Sequence, residues 1–164
     1  MYFFLSAGVG QRLTGIEHAI LRRGKIFSAC AMDYKIVTLN HNPNYLKNLT
    51  AHNISENNFL NLYDSFQKII FLDFKENSLH HFTSSLSGNI RVEKTSNSED
   101  VRVYINDIYT FYIHFFDNGQ ISYINYFYGQ RVKFKREFFT EHGWLSKGIY
   151  LENNAPKQVH YLDN

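Results

Sequence analysis

Two hydrophobic rhythms divide the chain. Residues 2–5, Tyr-Phe-Phe-Leu, form a short apolar run that predicts a buried strand. A small-residue loop follows, Ser6-Ala7-Gly8-Val9-Gly10. Thr14-Gly15-Ile16-Glu17 then has the form of a capping box, with Thr14 as N-cap and Glu17 three positions later. Behind it Ile16, Ala19, Ile20, Ile26 and Phe27 recur at helical spacing. Arg22, Arg23 and Lys25 fall on the other face or near the helix end, where cations suit the dipole. Residues 35–39, Lys-Ile-Val-Thr-Leu, predict a second buried strand. Strand, glycine loop, helix and strand make one βαβ unit, the opening of a doubly wound sheet. Residues 40–54, rich in Asn and His with Pro43, read as a loop. Ser55 reads as the cap of a second helix with Phe59, Leu60, Leu62, Tyr63, Phe66, Ile69 and Ile70 as its apolar positions.

Beyond about residue 70 the period becomes two. Val101, Val103 and Ile105 alternate with Arg102, Tyr104 and Asn106. Tyr109, Phe111, Ile113 and Phe115 follow, and Val132, Phe134 and Phe138 alternate with Arg131, Lys133, Lys135 and Glu137. Asn118-Gly119, Gly129, His142-Gly143 and Asn153-Asn154 supply the turns of an antiparallel meander. Strands such as 121–128 carry aromatics on both faces, so the sheet's second face needs a cover: the sheet itself, another domain or another chain. The expected architecture is α/β plus β: a partial Rossmann-like segment over 1–70 and an antiparallel β-meander over 71–164.

Composition changes this picture little. Of 164 residues 44% are hydrophobic, 20% charged and 17% aromatic, enough for a core and too apolar for disorder. A net charge of +2 does not by itself imply nucleic acid. The single cysteine, Cys30, forms no internal disulfide and reads as a buried thiol in a reducing compartment. The amino-terminal run lacks a basic flank, and no stretch reaches the ~20 apolar residues of a span. The expectation is a soluble, cytoplasmic protein with at most peripheral membrane association.

Candidate chemistry is sparse. The eight histidines show no ligand spacing, and adjacent His80 and His81 would point apart on a strand, so no metal is expected. Gly8-Val9-Gly10 lacks a third glycine at the dinucleotide offset, and the second strand ends at Asn40 rather than an acid, against NAD or FAD. The loop and helix start at 8–17 are the best candidate site, since helix N-termini favour anions and Gly15 permits close approach. A plain connection with a structural cap explains the same residues. Arg131, Lys133, Lys135 and Arg136 form a compact basic strand, suited to a polyanion or simply to a wet edge. Tyr123, Tyr126, Phe127, Tyr128 and Trp144 serve sugar stacking, an interface or packing.

Tyr2-Phe3-Phe4-Leu5, Leu13-Thr14-Gly15-Ile16-Glu17-His18-Ala19, Arg22-Arg23, Phe27, Lys35-Ile36-Val37-Thr38 and Asn61-Leu62-Tyr63-Asp64-Ser65-Phe66-Gln67 occur in that order. The series resembles the amino-terminal region of bacterial poly(glycerol-phosphate) α-glucosyltransferases, grouped with wall teichoic acid and serine-rich adhesin glycosyltransferases. The resemblance implies a GT-B fold with a β-meander inserted in its first Rossmann-like domain. It implies a retaining transfer of a hexose, glucose or N-acetylglucosamine, from a UDP-sugar, with no further cofactor. The acceptor would be teichoic acid or protein. Thr14, Gly15, Ile16 and Glu17 would line the donor side, and Arg131, Lys133, Lys135 and Arg136 would hold the acceptor. Because Thr14 caps and Glu17 is acidic, the loop is expected to meet sugar or uridine rather than cradle a diphosphate. The family's second Rossmann-like domain, with its paired glutamates, does not fit in this length, so the chain alone is expected to be inactive. The alternative is a non-catalytic module that forms homo-oligomers or binds a companion subunit or acceptor through the meander.

Overall fold

The computed structural model describes residues 1–42, 44–67, 73–96 and 98–162. It divides into two compact units, Met1–Phe71 and Leu72–Asn164. In the first, β1 (Tyr2–Ser6), β2 (Tyr34–Thr38) and β3 (Phe59–Asn61) form a parallel sheet in the order β1-β2-β3. Helix α1 (Gly15–Ala29) connects β1 to β2 and buries Ile20, Leu21 and Gly24. Gly24 lets the helix pack closely here, because an added Cβ would lie 2.9 Å from the Tyr34 ring and displace it. The core joins Val9, Ile20, Ile36, Leu49 and Phe59.

Several expectations are corrected in this unit. Ile16 and Ile26 face outward, 72% and 60% exposed. The helix runs a turn past Lys25, so its last turn holds no cation. The stretch read as a loop contains α2 (Tyr45–Ala51), which sends Leu49 into the core. Ser55 does cap, but only the single 3-10 turn Glu56–Asn58. The chain then extends as β3, because Phe59 gains more by pairing with Ile36 and filling the core than a continuous helix would provide. Helix α3 (Leu62–Phe66) follows. Ile69 and Ile70, expected on the second helix, lie outside the described residues. Cys30 is exposed at the end of α1, not buried.

The second unit opens with α4 (Leu79–Ser84), capped by Ser78, whose hydroxyl accepts from the His81 amide at 3.2 Å. His80 and His81 therefore sit on a helix, not a strand. Seven antiparallel strands follow in the spatial order of a meander: β4 (Ile90–Lys94), β5 (Val101–Ile105), β6 (Ile108–Phe115), β7 (Ile121–Tyr128), β8 (Val132–Phe139), β9 (Leu145–Glu152) and β10 (Ala155–Tyr161). One face buries Val103, Ile113, Ile121 and Ile124 to 1% exposure or less. Leu79 and Phe82 of α4 cover that face, with the Phe82 ring edge-on to Phe111 at 5.2 Å. The turns at Asn118-Gly119, His142-Gly143 and Asn153-Asn154 form as predicted, with positive φ at Gly119, Gly143, Asn153 and Asn154. Asn106-Asp107, not singled out in the sequence, makes another. The aromatic-laden sheet thus has one covered face and a second face of different chemistry.

Candidate functional site

The loop after β1 lies at the carboxyl ends of three parallel strands, where open α/β sheets place their ligands. Its path is fixed by bonds from Ser6 and from residues after β2 and in and just after α2, with Asn61 holding Asn40 in turn. The Ser6 hydroxyl donates to the Gly8 carbonyl at 2.6 Å. Asn40 donates its amide to the Ala7 carbonyl at 3.0 Å and packs its side chain where a Cβ on Gly8 would stand, 2.7 Å away. Asn48 of α2 donates to the Val9 carbonyl at 2.8 Å, and His52 Nε2 lies 2.9 Å from the Gly10 carbonyl. Asn61 at the end of β3 donates to Thr38 Oγ1 at 2.9 Å and to the Asn40 carbonyl at 2.8 Å. A loop held this way needs no ordering when a ligand arrives.

The capping box forms as the sequence predicts. Glu17 donates its amide to Thr14 Oγ1 at 3.3 Å, and Thr14 returns its own to Glu17 Oε2 at 2.6 Å. The second carboxylate oxygen accepts the Gly10 amide at 3.1 Å. Burial pushes the Glu17 carboxyl up, but bonds from Thr14 and Gly10 and the nearby His52 outweigh it, so the group is held below its ordinary value. Glu17 is therefore a clamp across residues 10–14, with both oxygens committed to backbone.

Gly15 and Ile16 are placed differently. An added Cβ at Gly15 meets nothing within 4 Å, and Ile16 projects outward. Both line a groove of about 540 Å³ together with Phe3, Leu5, Ala19 and Arg23. The four expected donor residues thus split into two that shape the loop and two that border open space. The residues that hold the loop from a distance, Asn40, Asn48, His52 and Asn61, went unassigned in the sequence; the Asn- and His-rich composition of 40–54 was the signal for the first three.

Near the same strand ends Asp64 is 4% exposed, and its Oδ2 has no hydrogen-bond partner. Burial pushes this carboxyl up to about 7. Among the described residues, no three His, Cys, Asp or Glu side chains gather as metal ligands, and no helix is long and apolar enough to cross a membrane.

The basic strand does not present one surface. Lys135 turns to the covered face of the sheet, pairs with Glu137 at 2.6 Å and lies 4.8 Å over the Tyr126 ring. Arg136 takes the opposite face, donating to Asn125 Oδ1 at 2.6 Å and stacking 4.8 Å over Tyr123. Lys133 shares that face, its ammonium lowered by burial and by Arg136. Arg131 lies in the Gly129–Arg131 turn with φ 63°.

No protein-family model matches the chain, and no curated protein matches it in sequence. Solved structures do match. A structure of accessory secretory protein 1, 2 and 3 from Streptococcus pneumoniae aligns over 99% of this chain with TM-score 0.81 and 18% identity. The fold is that of those chains, over about a third of their length. A Glycosylation Associate Protein (Gap123) complex from Streptococcus agalactiae gives TM-score 0.78 over 99% of this chain, also at 18% identity. A complex of S. aureus TarM with fondaparinux, α-GlcNAc-glycerol and UDP gives 0.60 over 98% at 17% identity. This chain spans 35%, 34% and 39% of the respective chains.

Proposed function

We propose that the chain is part of a retaining glycosyltransferase that moves a hexose from a UDP-sugar to a cell-wall teichoic acid or protein acceptor. In this reading Gly15 and Ile16 border the donor, and Thr14 and Glu17 hold their backbone in place. The observation that carries it is the open groove beside Gly15, next to a loop pinned at the carboxyl ends of parallel strands. The likeness to a UDP-bound TarM fold supports it. Addition of UDP-glucose or UDP-N-acetylglucosamine to the labelled chain should shift the Gly15 and Ile16 amide resonances. Gly15→Leu, at a position where an added Cβ meets nothing within 4 Å, should abolish those shifts without lowering the melting temperature. Shifts confined to other residues, or unaltered in the variant, would overturn the site. The chain alone should give no turnover with a poly(glycerol phosphate) acceptor, and steady transfer would show that no other half is needed.

A second reading has its own support. The TM-scores of 0.81 and 0.78 to the accessory secretory and Gap123 complexes exceed the 0.60 to TarM. In that reading the chain is a non-catalytic member of a multi-subunit assembly, docked through the meander. Light scattering separates the two: a clean monomer at high concentration counts against self-association, and loss of UDP-sugar binding with retained assembly favours the module.

A further inference from the structure

A cleft at one end of the meander, beside the β4–β5 and β6–β7 turns, has no part in the site described above. Its volume is about 520 Å³, within the range of small-molecule sites. Leu79 from the start of α4, Val101, Phe115 and Phe116 give it apolar walls, and Asp100 and His114 stand among them. Strand register brings this pair together. Val101 lies opposite Ile113 and Arg102 opposite Tyr112, so Asp100, one step beyond, arrives opposite His114 and diagonal to Tyr112. The turn closes around it. Thr95 donates its amide to the Asp100 carbonyl at 2.9 Å, and Asp100 donates its own to Ser98 Oγ at 3.3 Å.

Hydrogen bonds fix which nitrogen of His114 is left for a ligand. Asp100 is 7% exposed, and as a carboxylate it only accepts. Tyr112 donates its hydroxyl to Oδ2. Burial and that carboxylate push the hydroxyl well above its ordinary range, so the proton stays on Tyr112. Oδ1 lies 2.7 Å from His114 Nδ1, which therefore carries the donated proton. In the neutral ring Nε2 is then an acceptor, and it has no hydrogen-bond partner among the described residues. The ring is also held from the side. It stacks on Tyr123 at 4.8 Å, and Arg136 lies 4.8 Å over Tyr123 in turn. The result is one oriented acceptor in a largely apolar cleft.

The charge of the lining narrows the ligand. Glu99, Asp100 and Asp117 stand against a single ammonium, Lys94, which is already paired with Glu99 at 2.7 Å. A carboxylate or phosphate entering here would meet like charge and a nitrogen lone pair. A positively charged donor meets an acceptor and a surplus of carboxylates, while its apolar body covers the walls.

We propose that this cleft binds a small organic amine with an apolar body, its ammonium donating to His114 Nε2, which Asp100 holds in place. The proposal goes beyond the transferase reading and does not depend on it, since every residue of the cleft belongs to the meander unit.

The test is an NMR titration of the full chain with phenethylamine, with phenethyl alcohol and hydrocinnamate as the neutral and anionic arms. The amine should shift the His114 ring resonances together with the Val101 and Phe116 amides, and should bind more tightly than either other arm. His114→Phe keeps a ring to stack on Tyr123 and removes the acceptor. It should weaken the amine about tenfold. Asp117→Asn, at the exposed rim, leaves the bonds to Asp100 in place. It should weaken the amine about two- to fivefold and leave the alcohol unchanged, with the melting of both variants measured in parallel. Absence of amine-induced shifts at His114, or full affinity in both variants, would overturn the site. Tighter binding of the alcohol or of hydrocinnamate than of the amine would overturn the ligand class.

Discussion

At the scale of single residues, Asp64 is the side chain with the clearest measurable consequence. Its carboxyl is pushed from an ordinary 3.8 up to about 7 by burial. The folded chain therefore binds this proton more tightly than the unfolded one. The resulting stabilisation is complete below about pH 4 and is lost as pH rises through 7. Asp64→Asn removes that titration. Its melting temperature relative to the native chain should rise from pH 5 to pH 8, and a constant difference would show that Asp64 ionises normally. The capping pair Thr14 and Glu17 was legible, because both partners lie within one helical turn and the pattern is local. Asn48 and His52 were not, since the carbonyls they hold are 39 and 42 positions away along the chain. Lys135 and Arg136 are a different case, decided by local alternation. Adjacent positions on a strand face opposite ways, so a basic run in one dimension becomes two surfaces in three.

At the scale of elements, the turn between β8 and β9 ties the meander to the segment before α4. Lys75 donates its amide to the His142 carbonyl at 2.9 Å, and Trp144 donates its ring N–H to the Asp73 carbonyl at 2.6 Å. Gly143 sits between them with φ 86°, and a Cβ there would run into the Lys75 carbonyl. Gly119, in the β6–β7 turn, has φ 80° and open space around it. Gly119→Ala should cost about 1–2 kcal/mol, the strain of a left-handed residue alone. Gly143→Ala should cost more, because it also displaces the strap. Urea unfolding of the two variants checks the order, and equal costs would mean that the strap contributes nothing. Most strands of the meander were readable from their period of two and from their turns. Helix α2 and strand β3 were not. The first is short, and the second consists of three residues whose extended form depends on β2 lying beside them.

At the scale of the whole molecule, each unit combines a buried core with apolar side chains left open, and β1 contrasts with the central strands of the meander. In the first, Phe3 and Leu5 on β1 remain 60% and 65% exposed, although strands of a parallel sheet ordinarily require cover on both faces. In the second, Val103, Ile113 and Ile121 are fully buried. Amide hydrogen exchange should therefore be faster throughout β1 than in β6 and β7. Equal protection in the isolated chain would mean that the edge of β1 is covered in solution.

The sequence by itself determined the α/β-plus-β architecture, the capping box and the meander turns, because each rests on a short-range period or on a residue with a special backbone preference. Tertiary structure alone decided which residues pin the glycine loop and which carboxyl is buried. Those depend on distances between segments far apart in the chain, and no local pattern encodes them.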